Sequence, residues 1–196
     1  MSDAQRIHAL NLPVPDTECL DADLRAAFAA IEREHGLLPN VLRAYAFAPD
    51  KLRPFMQMYD NLMLGESSLT PLEREMIAVV VSSINRCVYC LTAHGATLRQ
   101  LSGDPVLGEL LVMNYRAAPL EQRHRVMLDF AVQVTAASHA IGAEDRDRLT
   151  EAGFDDRAIW DIAAVAAFFN MTNRMASALD MAPNAEYHFR ARTPAR

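Results

Sequence analysis

The sequence predicts a single all-α domain, and three observations support that prediction. Apolar residues recur at helical spacing through most of the chain, and no stretch alternates apolar and polar residues as a strand would. Capping residues, prolines and glycines punctuate these stretches where helices would begin and end. The chain has 196 residues, 51% of them hydrophobic, which suits one domain with a substantial core. We predict about seven to nine helices and no sheet.

The predicted elements follow one another in a single unit. Residues 1–20 are predicted to form an irregular arm, because Pro13 and Pro15 exclude a helix there. Residues 21–182 are predicted to form the helical domain, and residues 183–196 a C-terminal tail. Helices are expected at approximately 21–36, just after 40, 50–65, 71–84, 87–101, 105–115, 119–139, 143–153 and 156–179.

The start of the fourth helix is the best-defined boundary. Thr70 has the character of an N-cap, Pro71 suits the first helical position, and Glu73 follows the cap by three residues. A capping box of this kind predicts a helix that continues to about Ile84. The next predicted helix follows immediately and contains a Cys-x-x-Cys pair, so residues 69–98 form the centre of the functional argument.

Charge and hydropathy exclude several classes of protein. The formal net charge is −6 and the sequence pI is about 5.5, whereas a nucleic-acid or anionic-membrane binder needs a basic face. The longest uninterrupted apolar run, residues 162–169, is far shorter than the ~20 residues of a membrane span. The first residues have none of the apolar core of a signal peptide. We therefore expect a cytoplasmic protein that binds neither nucleic acid nor membranes.

The cysteines give the sharpest signal for chemistry. Cys87 and Cys90 form a Cys-x-x-Cys motif, and Cys19 stands alone in the N-terminal arm. Three cysteines do not build a disulfide scaffold in a chain of this length. In a reducing compartment a Cys-x-x-Cys pair is more often redox-active or metal-binding than structural.

Helical geometry places a histidine beside the two cysteines. At ~100° per residue, Cys87, Cys90 and His94 share one narrow face over two turns. Cys87 lies near the predicted helix N-terminus, where partial positive charge lowers a thiol pKa from ~8.5 and favours the nucleophilic thiolate. His94 can exchange a proton at physiological pH. If the preceding helix packs antiparallel, Glu75 reaches the same face as an acid-base partner.

Other interpretations of these residues remain open. The cysteines could be small core residues, His94 a hydrogen-bonded core histidine and Glu75 a solvated carboxylate. Together they could also complete a tetrahedral zinc site, although ligands at i, i+3 and i+7 would crowd the ion from one side. A non-catalytic oligomeric protein is a further alternative, but it leaves the spacing unexplained.

Two further groups are interpreted as structural. Tyr89, between the cysteines, points to the opposite side of the helix and is predicted to be a packing residue. Asn170, Asn173 and Arg174, near the end of the last helix, are predicted to form a polar network within the bundle. That last helix is apolar over much of its circumference, which predicts burial against neighbouring helices or a second subunit.

The motif within residues 69–98 resembles the active-site pattern of a known family. Glu75 followed by Cys87-x-x-Cys90-x-x-x-His94 matches the AhpD-like alkylhydroperoxidases of the carboxymuconolactone decarboxylase superfamily in residue type and spacing. The Asn-x-Cys-x-Tyr-Cys form of the motif resembles the branch of peroxidase-related enzymes, whose members have about this length. AhpD itself has a histidine where this chain has a tyrosine between the cysteines.

The resemblance implies an all-α homo-oligomer that reduces hydroperoxides with thiols and needs no haem, flavin or metal. It implies that Cys90 attacks the peroxide and becomes a sulfenic acid, that Cys87 resolves it as a disulfide, and that Glu75 and His94 relay protons. The implied partners are a hydroperoxide substrate and a thiol or dithiol reductant, such as a lipoyl or thioredoxin-like protein. The decarboxylase or lactone chemistry of the superfamily is the alternative enzymatic activity, and it does not need paired cysteines.

The residues and the resemblance differ on which sulfur is the nucleophile. The helix N-terminus favours a thiolate at Cys87, whereas the family pattern assigns the attack to Cys90. The two agree if Cys87 is the sulfur that the reducing partner attacks later, as the first cysteine of such motifs often is.

Overall fold

The structure is a computed structural model that describes residues 6–193. Within those residues the chain forms nine α-helices and no β-strand, which confirms the predicted all-α fold. The outermost parts of the predicted arm and tail, residues 1–5 and 194–196, lie outside the described residues. The helices are α1 (Ala22–His35), α2 (Asn40–Tyr45), α3 (Pro49–Tyr59), α4 (Pro71–Ile84), α5 (Val88–Ser102), α6 (Pro105–Asn114), α7 (Gln122–Ala137), α8 (Ala143–Glu151) and α9 (Asp156–Ala178).

The capping signals in the sequence act as predicted at α4. The backbone N–H of Glu73 donates to Thr70 Oγ1 at 3.1 Å, and the backbone N–H of Thr70 donates to Glu73 Oε2 at 2.8 Å. Pro71 occupies the first helical position, where a missing N–H costs nothing. The capping box therefore sets the register of the helix that carries Glu75.

Two predicted boundaries are wrong by part of a turn or more. The predicted helix 50–65 is α-helical only to Tyr59, and its last turn, Asp60–Leu64, is a π-helix whose wider turn ends when Gly65 N–H donates to Asp60 O at 2.8 Å. α7 begins at Gln122 rather than at Pro119. The preceding residues form a separate turn, which Arg125 holds by donating to Ala118 O at 2.8 Å.

The centre of the molecule is α4. Ten consecutive residues of α4, Glu73 to Ser82, are buried as α5, α6, α7 and α9 pack around it. α9 buries one side, whereas its other side leaves Trp160 59% exposed and Met171 48% exposed. The alanine-rich composition of α9 therefore does not mean burial all round. No helix in residues 6–193 combines the length and hydropathy needed to cross a membrane.

Residues 7–9 pair with residues 179–182, just after the end of α9. Ala9 N–H donates to Leu179 O at 2.7 Å, and Ala182 N–H donates to Ile7 O at 2.9 Å. The C-terminal segment then forms a short 3-10 helix, Ala185–His188, so the predicted tail is partly ordered. These segments complete a second apolar cluster beside the N-terminal end of α5, which includes Ile7, Leu37, Ala44, Cys87, Tyr89, Cys90, Ala93, Ala176, Met181 and Tyr187.

Candidate active site

A Schellman turn connects α4 to α5 and places the first cysteine. Cys87 N–H donates to Ser82 O at 3.0 Å and Arg86 N–H donates to Ser83 O at 3.1 Å, which are the two bonds of that motif. Arg86 takes the left-handed conformation, with φ of 54°. The chain thereby reverses within three residues. Cys87 becomes the N-cap of α5 rather than part of its first turn.

The two cysteines form a buried thiol pair. Cys87 is 1% exposed, Cys90 is 3% exposed, and both are unbridged. A hydrogen bond from the Cys90 thiol lowers the pKa of Cys87 to about 6, against the effect of burial. The Cys90 N–H, the Ser177 hydroxyl and the charge of His94 contribute smaller parts of the same lowering. The negative charge of the pair therefore resides on Cys87 near neutral pH.

The second sulfur keeps its proton for the complementary reason. The hydrogen bond with Cys87 raises the pKa of Cys90, and burial and the charge of Cys87 raise it further. The two sulfurs thus hold one proton between them, which is bound to Cys90 and hydrogen-bonded to Cys87. A strongly coupled pair of this kind titrates as a unit.

Glu75 and His94 meet between the antiparallel helices α4 and α5. The distance from His94 Nδ1 to Glu75 Oε2 is 2.9 Å, and Glu75 is only 4% exposed. The His94 ring packs edge-on against Phe169 of α9, with 4.6 Å between ring centroids. A carboxylate at Nδ1 fixes the imidazole orientation and directs Nε2 away from α4. The arrangement matches the antiparallel packing on which the sequence argument depended.

Tyr89 has a packing role. Val41 N–H, at the start of α2, donates to the Tyr89 hydroxyl at 2.8 Å. Burial raises the pKa of Tyr89, so its hydroxyl stays protonated at physiological pH. Tyr59, beside His94, is likewise held neutral because burial and the Glu75 charge raise its pKa. Neither phenol can replace a histidine as a base.

A connection between α9 and the thiols was not predicted from the sequence. Asn170 and Asn173 do form a polar network, as predicted, but through Asn85 and Ser82 it extends to the cysteine turn. Asn173 also contacts Cys90. The sequence carried only one hint of this, the asparagine two residues before the motif. Asn170 and Asn173 lie 85 and 88 residues from that asparagine in the sequence.

The zinc alternative gains no geometric support. In the part of the chain that the structure describes, no three His, Cys, Asp or Glu side chains are grouped to hold a metal ion. Glu75 bonds to His94 instead of facing the sulfurs.

A cavity of about 180 Å³ between α4, α6 and α7 is lined by Ser83, Tyr115 and neighbouring residues, and neither cysteine lines it.

The protein is thus an all-α dithiol protein. Its buried Cys-x-x-Cys pair lies beside a carboxylate–histidine pair on the hairpin that α4 and α5 form. The model of the Carboxymuconolactone decarboxylase family matches residues 49–105. A peroxidase-related protein from Silicibacter sp. TM1040 is 59% identical, with a TM-score of 0.93 over 98% of this chain and 100% of that one. The chain belongs to the AhpD-like carboxymuconolactone decarboxylase superfamily, as its motif predicted.

Two other solved structures have a similar fold. The AhpD-core peroxidase-related protein from Ralstonia eutropha JMP134 is 41% identical, with a TM-score of 0.94 over 98% of this chain and 100% of that one. The debrominase Bmp8, in complex with 2,3,4-tribromopyrrole, is 19% identical, with a TM-score of 0.78 over 93% and 96%. The likeness to Bmp8 extends to the fold alone. No curated protein matches the sequence.

Proposed function

We propose that this protein is a thiol peroxidase that reduces alkyl hydroperoxides with Cys87 and Cys90. The observation that carries the proposal is the buried pair of sulfurs that shares one proton beside the Glu75–His94 pair. Such a pair supplies a thiolate and a neighbouring thiol near neutral pH, which are the two groups that peroxide reduction to a disulfide consumes. The family to which the chain belongs supports the same general role.

The first step forms a sulfenic acid on Cys90. The shared proton moves from Cys90 to Cys87, and the Cys90 thiolate attacks the terminal oxygen of the hydroperoxide. An S–O bond forms, the O–O bond breaks, and the sulfur gives up two electrons. The departing alkoxide takes a proton from His94 and leaves as the alcohol. Glu75 holds the imidazole in place for that transfer.

The second step forms a disulfide. The Cys87 thiol condenses with the Cys90 sulfenic acid, so that an S–S bond forms and water leaves. A dithiol reductant, such as a lipoyl or thioredoxin-like protein, then attacks Cys87 to give a mixed disulfide. The second thiol of the reductant resolves it, so both cysteines are again reduced and the reductant carries the disulfide. The cycle uses no bound cofactor. The lyase activity of the superfamily would leave the thiol pair without a role.

Peroxide treatment is expected to join Cys87 to Cys90 and to leave Cys19 free. Cys87 is the N-cap of α5 and Cys90 lies in its first turn, and this three-residue spacing allows the ~5.5–6 Å Cα separation that a disulfide prefers. Cys19 is exposed and distant in sequence from both. Peptide mapping by mass spectrometry after stoichiometric tert-butyl hydroperoxide checks this. The Cys87→Ser variant is the matched control and should stop at a sulfenic acid on Cys90. Recovery of both thiols unmodified after prolonged excess peroxide would reject the proposed function.

We also propose a homo-oligomer and expect it to depend on the exposed face of α9. Trp160 and Met171 lie on that face, about three turns apart, and both remain about half exposed in the isolated chain. Large apolar side chains exposed along one face of a helix are typical of an interface between subunits. Light scattering should return a multiple of the 21.8 kDa chain mass at micromolar concentration. The Trp160→Glu variant should shift it towards the monomer, and a wild-type mass near 21.8 kDa would contradict this proposal.

A further inference from the structure

An amide network, buried at Asn173 and Ser82 and half-buried at Asn85 and Asn170, reaches from α9 to the cysteine turn. Asn85 Nδ2 donates to Asn170 Oδ1 at 3.0 Å and to Asn173 Oδ1 at 2.9 Å. Asn173 Nδ2 donates in turn to Ser82 Oγ at 3.0 Å. Asn173 is 1% exposed and Ser82 is fully buried. Because water does not reach Asn173 and Ser82, the hydrogen bonds of these two side chains must be met within the protein.

Ser82 fixes the direction of the Asn173 amide. A serine hydroxyl has one hydrogen, and that of Ser82 is donated to Ala78 O at 2.7 Å. Ser82 Oγ can therefore only accept from Asn173, which requires the NH2 group on that side. Asn85 donates to the carbonyl oxygen of the same amide and demands the same orientation from the other side. The amide is thus held in one of its two flipped states.

The second hydrogen of that NH2 group is available to Cys90. The hydrogen bond with Cys87 and burial raise the pKa of Cys90, whereas the contact from Asn173 acts in the opposite direction. Thr172 also lies against Cys90, but its single hydroxyl hydrogen is donated to Phe169 O at 3.2 Å. Asn173 is therefore the neighbour with a hydrogen left for the sulfur.

We infer that Asn173 is the hydrogen-bond donor that stabilises negative charge on the Cys90 sulfur when the shared proton moves to Cys87. A hydrogen bond to an anion is stronger than one to a neutral thiol, so this donor favours the state in which Cys90 is the thiolate. An amide donates without competing for the proton. Because Ser82 already holds the group in place, little reorganisation accompanies the charge shift.

This inference explains how Cys90 becomes nucleophilic although the resting charge lies on Cys87. The consequence for peroxide reduction rests on the proposed function, whereas the effect on the Cys90 thiol does not. Asn173 is thus a residue of α9 that sets which of the two sulfurs reacts.

The test uses protein in which Cys90 is the only thiol. In a Cys19→Ser, Cys87→Ser background, the rate of iodoacetamide labelling of Cys90 is measured from pH 6 to 11 by mass spectrometry. Asn173→Ala is expected to move the midpoint upwards by about one pH unit, a tenfold loss of thiolate below the midpoint. Asn184→Ala is the control, because the Asn184 side chain bonds to Leu38 O and to the Asn40 N–H, so its midpoint should match the parent.

A second variant decides the result if Asn173→Ala does not fold, as judged by circular dichroism. Asn173→Asp is nearly isosteric and replaces the donor by a carboxylate oxygen, so the midpoint should rise further. Midpoints unchanged in the folded Asn173 variants would overturn the inference. A shifted midpoint in protein whose wild type consumes no hydroperoxide would reject the proposed function and leave the role of Asn173 standing. Peroxide consumption by the wild type, together with an unshifted midpoint in the Asn173 variants, would support the proposed function and overturn the role of Asn173.

Discussion

Replacement of Glu75 by glutamine is expected to slow the reaction with tert-butyl hydroperoxide by about 10²–10⁴-fold, and His94→Ala by a similar factor. Glutamine keeps the size of the side chain and can still bond to His94 Nδ1, but it removes the charge that supports an imidazole in proton transfer. Single-turnover consumption of the hydroperoxide between pH 5 and 9 measures the effect. If the helix N-terminus alone activated the thiols, both losses would stay within a few-fold, since that interaction contributes only ~0.3–1 kcal/mol.

The chain offers a matched control for Glu75. Glu73 lies two residues earlier on α4 and is equally buried, but it bonds to Arg123 Nε at 3.1 Å and to the N-cap instead of to His94. Glu73→Gln should destabilise the fold and leave the single-turnover rate within about twofold of wild type. Superimposable pH profiles for the wild type and the variants of Glu75 and His94 would remove these two residues from the mechanism. Only the cysteines would then remain.

Local chemistry explains why so much of the fold was predictable. Helix starts such as Asp21, Thr70 and Asp155 depend on a side chain and a backbone N–H three residues later, and all three cap as their residue types indicate. The left-handed C-cap at Gly36 depends on a single residue in the same way. The turn before Cys87 was expected from the sequence, but its left-handed residue was not, because Arg86 stands where glycine is usual.

Long-range packing explains what was missed. The apolar circumference of α9 predicts its burial against neighbouring helices or a second subunit, but it does not say which helix is central. The structure gives that place to α4, although its first turns carry charged residues. Arg74, for example, is buried and donates to Leu69 O at 3.0 Å. The contact of Asn173 with the thiol pair depends on α9 packing against α5, which no local pattern encodes.

Labelling of Cys87 by iodoacetamide is expected to follow a thiolate with a midpoint near pH 6 in the wild type. The hydrogen bond from the Cys90 thiol is the largest cause of this low pKa, so Cys90→Ala should move the midpoint towards the ~8.5 of an ordinary cysteine. Because the pKa rises, the thiolate fraction at pH 6 falls from about one half to less than one hundredth, a loss of roughly a hundredfold. Burial, no longer opposed by that bond, acts in the same direction.

Cys90→Ser separates the hydrogen bond from the loss of the side chain. A serine hydroxyl donates to the Cys87 sulfur without titrating in this range, so the midpoint should lie closer to the wild-type value than that of Cys90→Ala. Cys19, which is exposed in the same protein, reports the reagent's intrinsic pH dependence in each variant. A wild-type midpoint for Cys87 equal to that of Cys19 would show that the pair holds no resting thiolate. The proton-sharing on which the proposed peroxide chemistry depends would then be absent.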